Sequence, residues 1–108
     1  YIVTARNDYG LPTKYIGKMK EIVNQWLKDN DIVYDKIIYT EDSKLPYCVG
    51  NYIELMIEDS PKQVEFISEK IPTFCYNADY NKGVEGENIT RVYSWYDIYS
   101  KIKLMREQ

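Results

Sequence analysis

Apolar positions along the chain follow two spacings, one typical of helices and one typical of buried strands. From Thr13 to about Asn30, apolar residues recur at steps of one or three and lie on one face of a helix. The residues on this face are Ile16, Met19, Ile22, Val23, Trp26 and Leu27. Pro12 with Thr13 provides a start signal and Asn30 a stop signal, so an amphipathic helix is predicted here.

Short runs of apolar and β-branched residues predict strands on both sides of this helix. Each run has the length of a strand and is followed by polar residues. The predicted strands are 1–6, 34–39, 52–57, 71–76 and 90–93. The stretch 77–88 is polar, contains glycine and has no apolar period, so it is predicted to be a surface loop.

Helices are also predicted between the later strands. The range 43–47 opens a short helix, and Pro61 suits the first position of the next one, with Ser60 or Asp59 expected to cap it. The buried face of that helix consists of Val64, Ile67 and Ile71, and the face of a closing helix consists of Trp95, Ile98, Ile102 and Met105.

The predicted strands alternate with helices throughout the 108 residues. Such alternation predicts an α/β fold with a largely parallel sheet and right-handed crossovers. The length suits one domain and is too short for two cores. The sequence has no linker, low-complexity segment or internal repeat, so a single domain is expected.

The composition narrows the possible chemistry. With 17 acidic and 14 basic residues and no basic block, non-specific nucleic-acid binding is not expected. The absence of histidine excludes Ser–His and Cys–His nucleophile pairs and histidine-containing zinc sites.

Cys48 and Cys75 show no CxxC spacing and are predicted to be buried, reduced thiols of a cytoplasmic protein. No apolar run reaches membrane-spanning length and no leader opens the sequence, so a soluble chain is expected.

Polar residues follow the predicted strands where ligands bind in such folds. In an open parallel sheet, ligands lie beyond the carboxyl ends of the strands. The residues there are Thr4-Ala5-Arg6, Glu41-Asp42-Ser43-Lys44, Glu58-Asp59-Ser60 and Asn77-Ala78-Asp79. The first three sets combine a hydroxyl, an ammonium group and adjacent carboxylates, which together suit a phosphate held beside a magnesium ion.

The basic and hydroxyl residues each have a functional and an ordinary interpretation. Thr4 can donate its hydroxyl to a phosphate together with the Ala5 amide, or it is simply a strand-end threonine. Arg6 can pair with a phosphate or an inner carboxylate, or it is solvated. Lys44 can neutralise an anionic substrate, although surface exposure is the usual state of a lysine.

The acidic residues are open to the same two interpretations. Glu58 and Asp59 repel each other unless a cation or solvent relieves them, and magnesium needs one or two carboxylates besides phosphate and water. They can also supply the acidic first turn of a helix, and both interpretations can hold together. Glu41-Asp42-Ser43 is interpreted as a helix cap. Asp29-Asn30-Asp31 follows a helix and not an apolar strand, so it is not interpreted as a catalytic pair.

Three separated segments stand in a characteristic order: Thr4-Ala5-Arg6, then Lys44, then Leu55-Met56-Ile57-Glu58-Asp59-Ser60-Pro61. This order resembles the second, third and fourth motifs of the haloacid dehalogenase-like (HAD) phosphohydrolases, and is most similar to the small 5'-nucleotidase-type members. The similarity continues through 71–74, the loop ending near Asn88, and Arg91-Val92 leading to Trp95, and so spans nearly the whole chain.

The resemblance implies a three-layer, Rossmann-like, mostly parallel sheet and a magnesium-dependent phosphomonoester hydrolase acting on a nucleotide. It implies that Thr4 binds the transferring phosphoryl group, with Ala5 and Arg6 beside it. It also implies that Lys44 offsets the charge of nucleophile and phosphate. Asp59 would coordinate Mg²⁺, with Glu58 as a second or water-mediated ligand.

The sequence departs from the family at the first motif. The D-x-D that supplies the nucleophile and the general acid has no counterpart, and the cap usually inserted between the first two motifs is missing. We therefore expect residues 1–108 to be a single partial core domain that lacks its central first strand and is inactive alone, since covalent catalysis needs the absent carboxylate. The two apolar strand edges left at the gap favour pairing with a missing N-terminal segment or a second copy.

Two other classes of protein are compatible with parts of this pattern. The first is a non-catalytic α/β interaction module that keeps the HAD scaffold without its first motif. The second is a receiver-like domain, but such domains place the acidic pair before the Thr and Lys, whereas here Glu58-Asp59 follows both Thr4 and Lys44.

Overall fold

In the computed structural model, the residues described are 1–4, 18–39 and 43–107, of which 18 and 19 are described only in their backbone. The strands among them are β1 (Ile2–Thr4), β2 (Ile37–Tyr39), β3 (Met56–Glu58), β4 (Thr73–Tyr76) and β5 (Ile89–Val92). The α-helices are α1 (Lys18–Asp29), α2 (Leu45–Gly50), α3 (Pro61–Ser68) and α4 (Trp95–Arg106), and a 3-10 turn covers Asp79–Asn81.

The strand pairing confirms the predicted α/β class. β1 pairs with β2, and β3, β4 and β5 form a second sheet in that spatial order, with every one of these pairs parallel. Parallel neighbours need a crossover between them. The helix α1 lies in the crossover from β1 to β2 and α3 in the one from β3 to β4, whereas the connection from β4 to β5 contains the 3-10 turn Asp79–Asn81 and no α-helix.

The chain divides into two compact units, Tyr1–Tyr47 and Cys48–Gln108. The single partial domain expected over 1–108 stays a prediction. In the first unit, Val3 of β1 and Ile38 of β2 stand opposite each other in the ladder, and both are buried.

The α1 helix presents less apolar surface to the interior than its pattern predicts. Leu27 is buried and Val23 is half-buried, but Ile22 is 60% exposed and Trp26 is 57% exposed. The predicted start signal at Pro12 and Thr13, Ile16, and the side chain of Met19 lie outside the described residues.

The end of α1 explains why Asp29-Asn30-Asp31 is a structural segment. Asp31 takes a left-handed backbone with φ 54°, and its N–H donates to the Lys28 carbonyl at 3.2 Å. The N–H of Ile32 donates to the Leu27 carbonyl at 3.0 Å, which completes a Schellman motif. The predicted stop at Asn30 is therefore within one residue of the observed end at Asp29.

A second Schellman motif shifts the start of the third strand. Tyr52 has φ 56° after α2, and Ile53 N–H donates to the Cys48 carbonyl at 3.0 Å. The prediction that a strand begins at Tyr52 is wrong, since this residue ends the α2 turn and β3 begins at Met56. The second strand is also shorter than predicted, since β2 begins at Ile37 and not at Tyr34.

Buried side chains of the second unit lie on both faces of its sheet. Phe74 of β4, Val92 of β5 and Ile98 of α4 form a buried cluster, and Ile57 of β3 packs against it. Within β4, Thr73 and Cys75 alternate with Phe74 and are buried as well, so both faces of this central strand are covered, as is typical of parallel sheets. Trp95 and Met105, predicted on the buried face of the closing helix, are 66% and 48% exposed.

The α3 helix begins as predicted but is capped differently. Pro61 occupies its first position, Val64 and Ile67 are buried within it, and Ser60 is the N-cap residue. The Ser60 side chain makes no cap hydrogen bond. Instead, Glu58 Oε1 accepts from the N–H groups of Asp59 at 3.1 Å and Ser60 at 3.2 Å. A carboxylate does this well because the amino end of a helix favours negative charge.

Both cysteines are buried thiols outside any disulfide, which confirms the predicted state of the two side chains. The cytoplasmic location stays a prediction. None of the helices in the described ranges has the length and apolar character required to cross a membrane.

Candidate functional site

The carboxyl ends of β3, β4 and β5 bring polar residues to one edge of the second sheet. The three strands are parallel, so their carboxyl ends lie at the same edge of the sheet. The residues at this edge are Glu58, the last residue of β3, Asn77 after β4 and Tyr93 after β5. The ladder also places Glu58, Cys75 and Arg91 opposite one another in a row across the three strands.

The two predicted carboxylates have different environments. Glu58 is 7% exposed and holds two backbone amides, whereas Asp59 is exposed. Asp59 Oδ2 accepts a hydrogen bond from the Tyr80 hydroxyl. The main-chain carbonyl of Asp59 accepts from Asn81 Nδ2 at 2.8 Å. The carboxylate of Asp59 is thus presented to solvent, while that of Glu58 organises the turn into α3.

Asn81 is the buried centre of this edge. Its side chain is 1% exposed and donates to the carbonyls of Asp59 and Tyr76, each at 2.8 Å. Its Oδ1 accepts from the Ala78 N–H at 3.0 Å and from Arg91 Nη1 at 2.9 Å. An amide side chain has two donor hydrogens and two acceptor lone pairs, so all four are used. The surface loop predicted over 77–88 is therefore wrong at Asn81.

Arg91 fastens the 77–84 loop to β5. Its Nη1 also donates to Asn77 Oδ1 at 2.9 Å, and its Nη2 donates to the carbonyls of Asn81 at 2.8 Å and Val84 at 2.9 Å. These bonds use the planar donor fork of the guanidinium group, which lysine lacks. Arg91 therefore holds the loop in place from the neighbouring strand.

Two pKa shifts follow from this arrangement. The hydrogen bond to Asp59 raises the pKa of the Tyr80 hydroxyl above its ordinary value, because ionisation would remove the donated proton. Burial raises the pKa of the Cys75 thiol; the charges of Asp59 and Glu58 add to this effect and that of Arg91 opposes it. The phenol of Tyr80 thus remains a hydrogen-bond donor at neutral pH, and the Cys75 thiol stays protonated.

The other predicted site residues belong to the first unit. Thr4 ends β1, is half-buried, and lines a cavity of about 340 Å³ together with apolar side chains that include Ile2, Val23 and Leu27. Lys44 is half-buried and directly precedes α2. Ala5, Arg6, Glu41 and Asp42 lie outside the described residues.

Thr4 and Lys44 are in one compact unit, and Glu58 and Asp59 are in the other. The convergence of all four side chains on a single pocket therefore stays a prediction.

The end of β3 provides one exposed carboxylate, that of Asp59, which is a ligand type that hard cations accept. Asp59 provides exposed carboxylate oxygens, and magnesium takes one or two carboxylates with water and phosphate completing its octahedron. Glu58 Oε1 already accepts from two amides, so Asp59 is the better placed first ligand. Across 1–4, 18–39 and 43–107, no three or more acidic or cysteine side chains cluster as a ready-made cage for a metal.

Sequence reasoning missed Tyr80, Asn81 and the role of Arg91. An arginine inside a short strand, flanked by Thr90 and Val92, is an available signal, because a charged side chain there needs polar partners. The partners themselves lie in a loop without periodicity, so the sequence does not single them out.

No protein-family model matches this chain, and no curated protein or solved structure shows significant similarity to it.

Proposed function

We propose that this chain carries the phosphate- and magnesium-binding part of a magnesium-dependent phosphomonoester hydrolase of HAD type, acting on a nucleotide. The observation that supports the proposal is the exposed carboxylate of Asp59, which follows a strand of a parallel sheet. Tyr80 donates a hydrogen bond to this carboxylate, and Asn81 donates one to the main-chain carbonyl of the same residue. The carboxyl edge of such a sheet is where ligands bind in open α/β folds.

The finer fold belongs to the same proposal. The sheets would be parts of one three-layer, Rossmann-like HAD sheet, with its central strand and D-x-D segment outside these 108 residues. That segment would supply the nucleophile and the general acid, which the present residues do not replace.

Each of the predicted site residues has a defined task in the proposal. Asp59 holds Mg²⁺, and Glu58 is the second or water-mediated ligand, with its Oε1 also holding the turn before α3. Thr4 donates to the phosphoryl oxygens, with Ala5 and Arg6 beside it, and the Lys44 ammonium offsets negative charge at the transferring group. When bound, the metal would supply further charge stabilisation at the phosphoryl oxygens.

The first test measures cation binding by the 108-residue protein. Titration with Mn²⁺, followed by the loss of the free-ion electron paramagnetic resonance signal, and with Mg²⁺ by calorimetry, should show saturable binding. Asp59→Asn should weaken it by at least about tenfold, because removing one carboxylate removes a charged ligand. Asp79→Asn is the matched control, since Asp79 is an exposed aspartate of the same loop region, ion-paired with Lys82.

Binding that is absent in the millimolar range, or that is unchanged by Asp59→Asn, would overturn the metal site. The hydrolase assignment is then tested on the complete gene product with nucleoside monophosphates as substrates. Asp59→Asn should remove most phosphate release there, and Asp79→Asn should not.

One observation favours a second candidate, the non-catalytic interaction module. Glu58, Asn81 and Arg91 all use polar atoms to hold the backbone of their own sheet edge, which is a scaffold role. A protein that folds normally, binds no Mn²⁺ and releases no phosphate as the complete gene product would favour this module.

A further inference from the structure

Two consecutive residues of the 3-10 turn Asp79–Asn81 donate hydrogen bonds to Asp59. Tyr80 donates its hydroxyl to the Asp59 carboxylate, and Asn81 donates its amide to the Asp59 carbonyl. One bond thus acts on the side chain and the other on the main chain of the same residue. Together they restrain both the backbone position and the side-chain rotamer of Asp59.

We propose that Tyr80 is a positioning residue for cation binding, which orients the Asp59 carboxylate toward the metal. This inference rests on the proposed function, since it concerns the same magnesium site. An exposed aspartate samples several rotamers, and a cation that binds it must select one of them. A hydrogen bond to a ligating carboxylate makes this selection in advance, and such outer-shell partners strengthen metal binding.

The position of Tyr80 is set by its neighbour and does not depend on its own hydroxyl. Asn81 is buried, and all four hydrogen-bonding positions of its side-chain amide are used. Arg91 donates hydrogen bonds from β5 to the same turn. The Tyr80 side chain itself is 63% exposed. Replacing its hydroxyl by hydrogen therefore leaves the turn anchored and changes mainly the restraint on Asp59.

Because the turn stays anchored without the Tyr80 hydroxyl, Tyr80→Phe can distinguish a positioning role of Tyr80 from a purely structural one. If Tyr80 acts through Asp59, Tyr80→Phe weakens cation affinity but leaves the unfolding midpoint close to that of the unmodified protein. If the hydroxyl is only a surface contact, the affinity does not move. Tyr96→Phe is the matched control, because Tyr96 is also an exposed tyrosine, 79% exposed on α4.

The experiment is a Mn²⁺ titration of the 108-residue protein and its Tyr80→Phe, Tyr96→Phe, Asp59→Asn and Tyr80→Phe/Asp59→Asn variants, with urea unfolding of each. We expect Tyr80→Phe to weaken binding about tenfold, at the lower end of the range for outer-shell partners because Tyr80 is exposed. Tyr96→Phe should bind as the unmodified protein does. In the Asp59→Asn background, Tyr80→Phe should have no further effect on residual affinity, because the two act as a unit.

The possible failures are distinguishable. Normal binding by the unmodified protein, loss with Asp59→Asn, and unchanged or tighter binding with Tyr80→Phe would overturn the positioning role while leaving the magnesium site intact. Additive effects in the double variant would also overturn it. No Mn²⁺ binding by the unmodified protein would overturn the magnesium site and the positioning role together.

Discussion

At the scale of single residues, Asn81 decides the geometry of the sheet edge more than any charged side chain does. It joins the exits of β3 and β4 by donating to the carbonyls of Asp59 and Tyr76. Buried and fully bonded, it satisfies groups that would otherwise be left without partners in the interior. Its importance comes from this enclosure, since an exposed asparagine in the same turn would exchange its bonds with water.

Asn81→Asp tests this directly because it keeps the size of the side chain but replaces both donor hydrogens. Two carbonyl oxygens would then face a carboxylate oxygen, and we expect the free energy of unfolding to fall by about 1–3 kcal/mol, as is typical of unsatisfied buried groups. Urea unfolding at neutral pH measures the change. Asn88→Asp serves as the control. Asn88 is exposed and donates one bond, to the Ser68 carbonyl, so this variant should lose less free energy of unfolding than Asn81→Asp does. Equal losses for the two variants would contradict the central place of Asn81.

Some residue-scale properties were predictable because they depend on residue type and local pattern. The two cysteines are buried thiols, as expected of apolar side chains without a CxxC spacing. The burial of Glu58 and the exposure of Asp59 were not predictable, since adjacent residues of a strand end point to opposite sides and only packing decides which side is covered.

At the scale of elements, helix ends show where sequence signals work and where they fail. Asn30 marks the end of α1, and Asp31 takes the left-handed conformation that short polar residues tolerate. At the end of α2, Tyr52 takes the same conformation although a bulky aromatic residue disfavours it. The sequence reads there as the start of a strand, and the error shifts the predicted strand by four residues from Tyr52 to Met56.

The start of α4 carries a reciprocal cap that makes its stability depend on pH. Ser94 Oγ accepts from the Asp97 N–H at 3.0 Å, and Asp97 Oδ2 accepts from the Tyr93 N–H at 3.0 Å. The hydrogen bond from Lys101 has the largest effect and the one from Tyr93 the next largest, and both lower the pKa of the Asp97 carboxyl below its ordinary value of 3.8. The cap therefore stabilises the folded state fully above that ordinary value, and its contribution is lost as the pH falls through the lowered pKa.

We expect Ser94→Ala to reduce the free energy of unfolding by about 1 kcal/mol at neutral pH. Asp97→Asn should also be less stable than the unmodified protein at neutral pH, and this difference should shrink on acidification, when the unmodified carboxyl is protonated. Urea midpoints across the acidic range measure both effects. Asp79→Asn is the control, because its exposed ion pair with Lys82 at 3.1 Å contributes little at any pH. A difference for Asp97→Asn that is independent of pH would contradict this account.

At the scale of the whole molecule, β4 is the best supported strand among the described residues. It pairs with β3 on one side and β5 on the other, and its Thr73, Phe74 and Cys75 are all buried. Among the described residues of the first unit, β1 and β2 form a two-stranded sheet. Amides that open only when the core opens exchange slowest, so protection should differ between the two sheets.

Native-state hydrogen exchange should therefore show the slowest amides in β4 and markedly faster exchange in β1 and β2. The reason is that opening β4 breaks two ladders and exposes both covered faces, whereas opening β1 breaks one short ladder. Residue-resolved NMR exchange at neutral pH measures the rates. Slower exchange in β1 than in β4 would show that the two-stranded sheet is the more stable part and would contradict this ranking.

The sequence by itself determined the class of the fold and the order of its elements. Apolar spacing distinguishes helix from strand. Strands that alternate with helices pair in parallel, because each helix carries the chain back to the edge of the sheet where the previous strand began. It also determined that Thr4 and Asp59 stand at or just past the ends of strands, where an α/β fold binds ligands.

The tertiary structure alone decided how Asp59 is held. Tyr80 and Asn81 lie about 20 residues further along the chain, in a loop with no periodic pattern, and reach Asp59 only because β3 and β4 are neighbours in the sheet. Periodicity encodes which face of an element is apolar, whereas hydrogen bonds between loops depend on which strands lie side by side. The candidate ligand was therefore visible in the sequence, and the side chains that orient it were not.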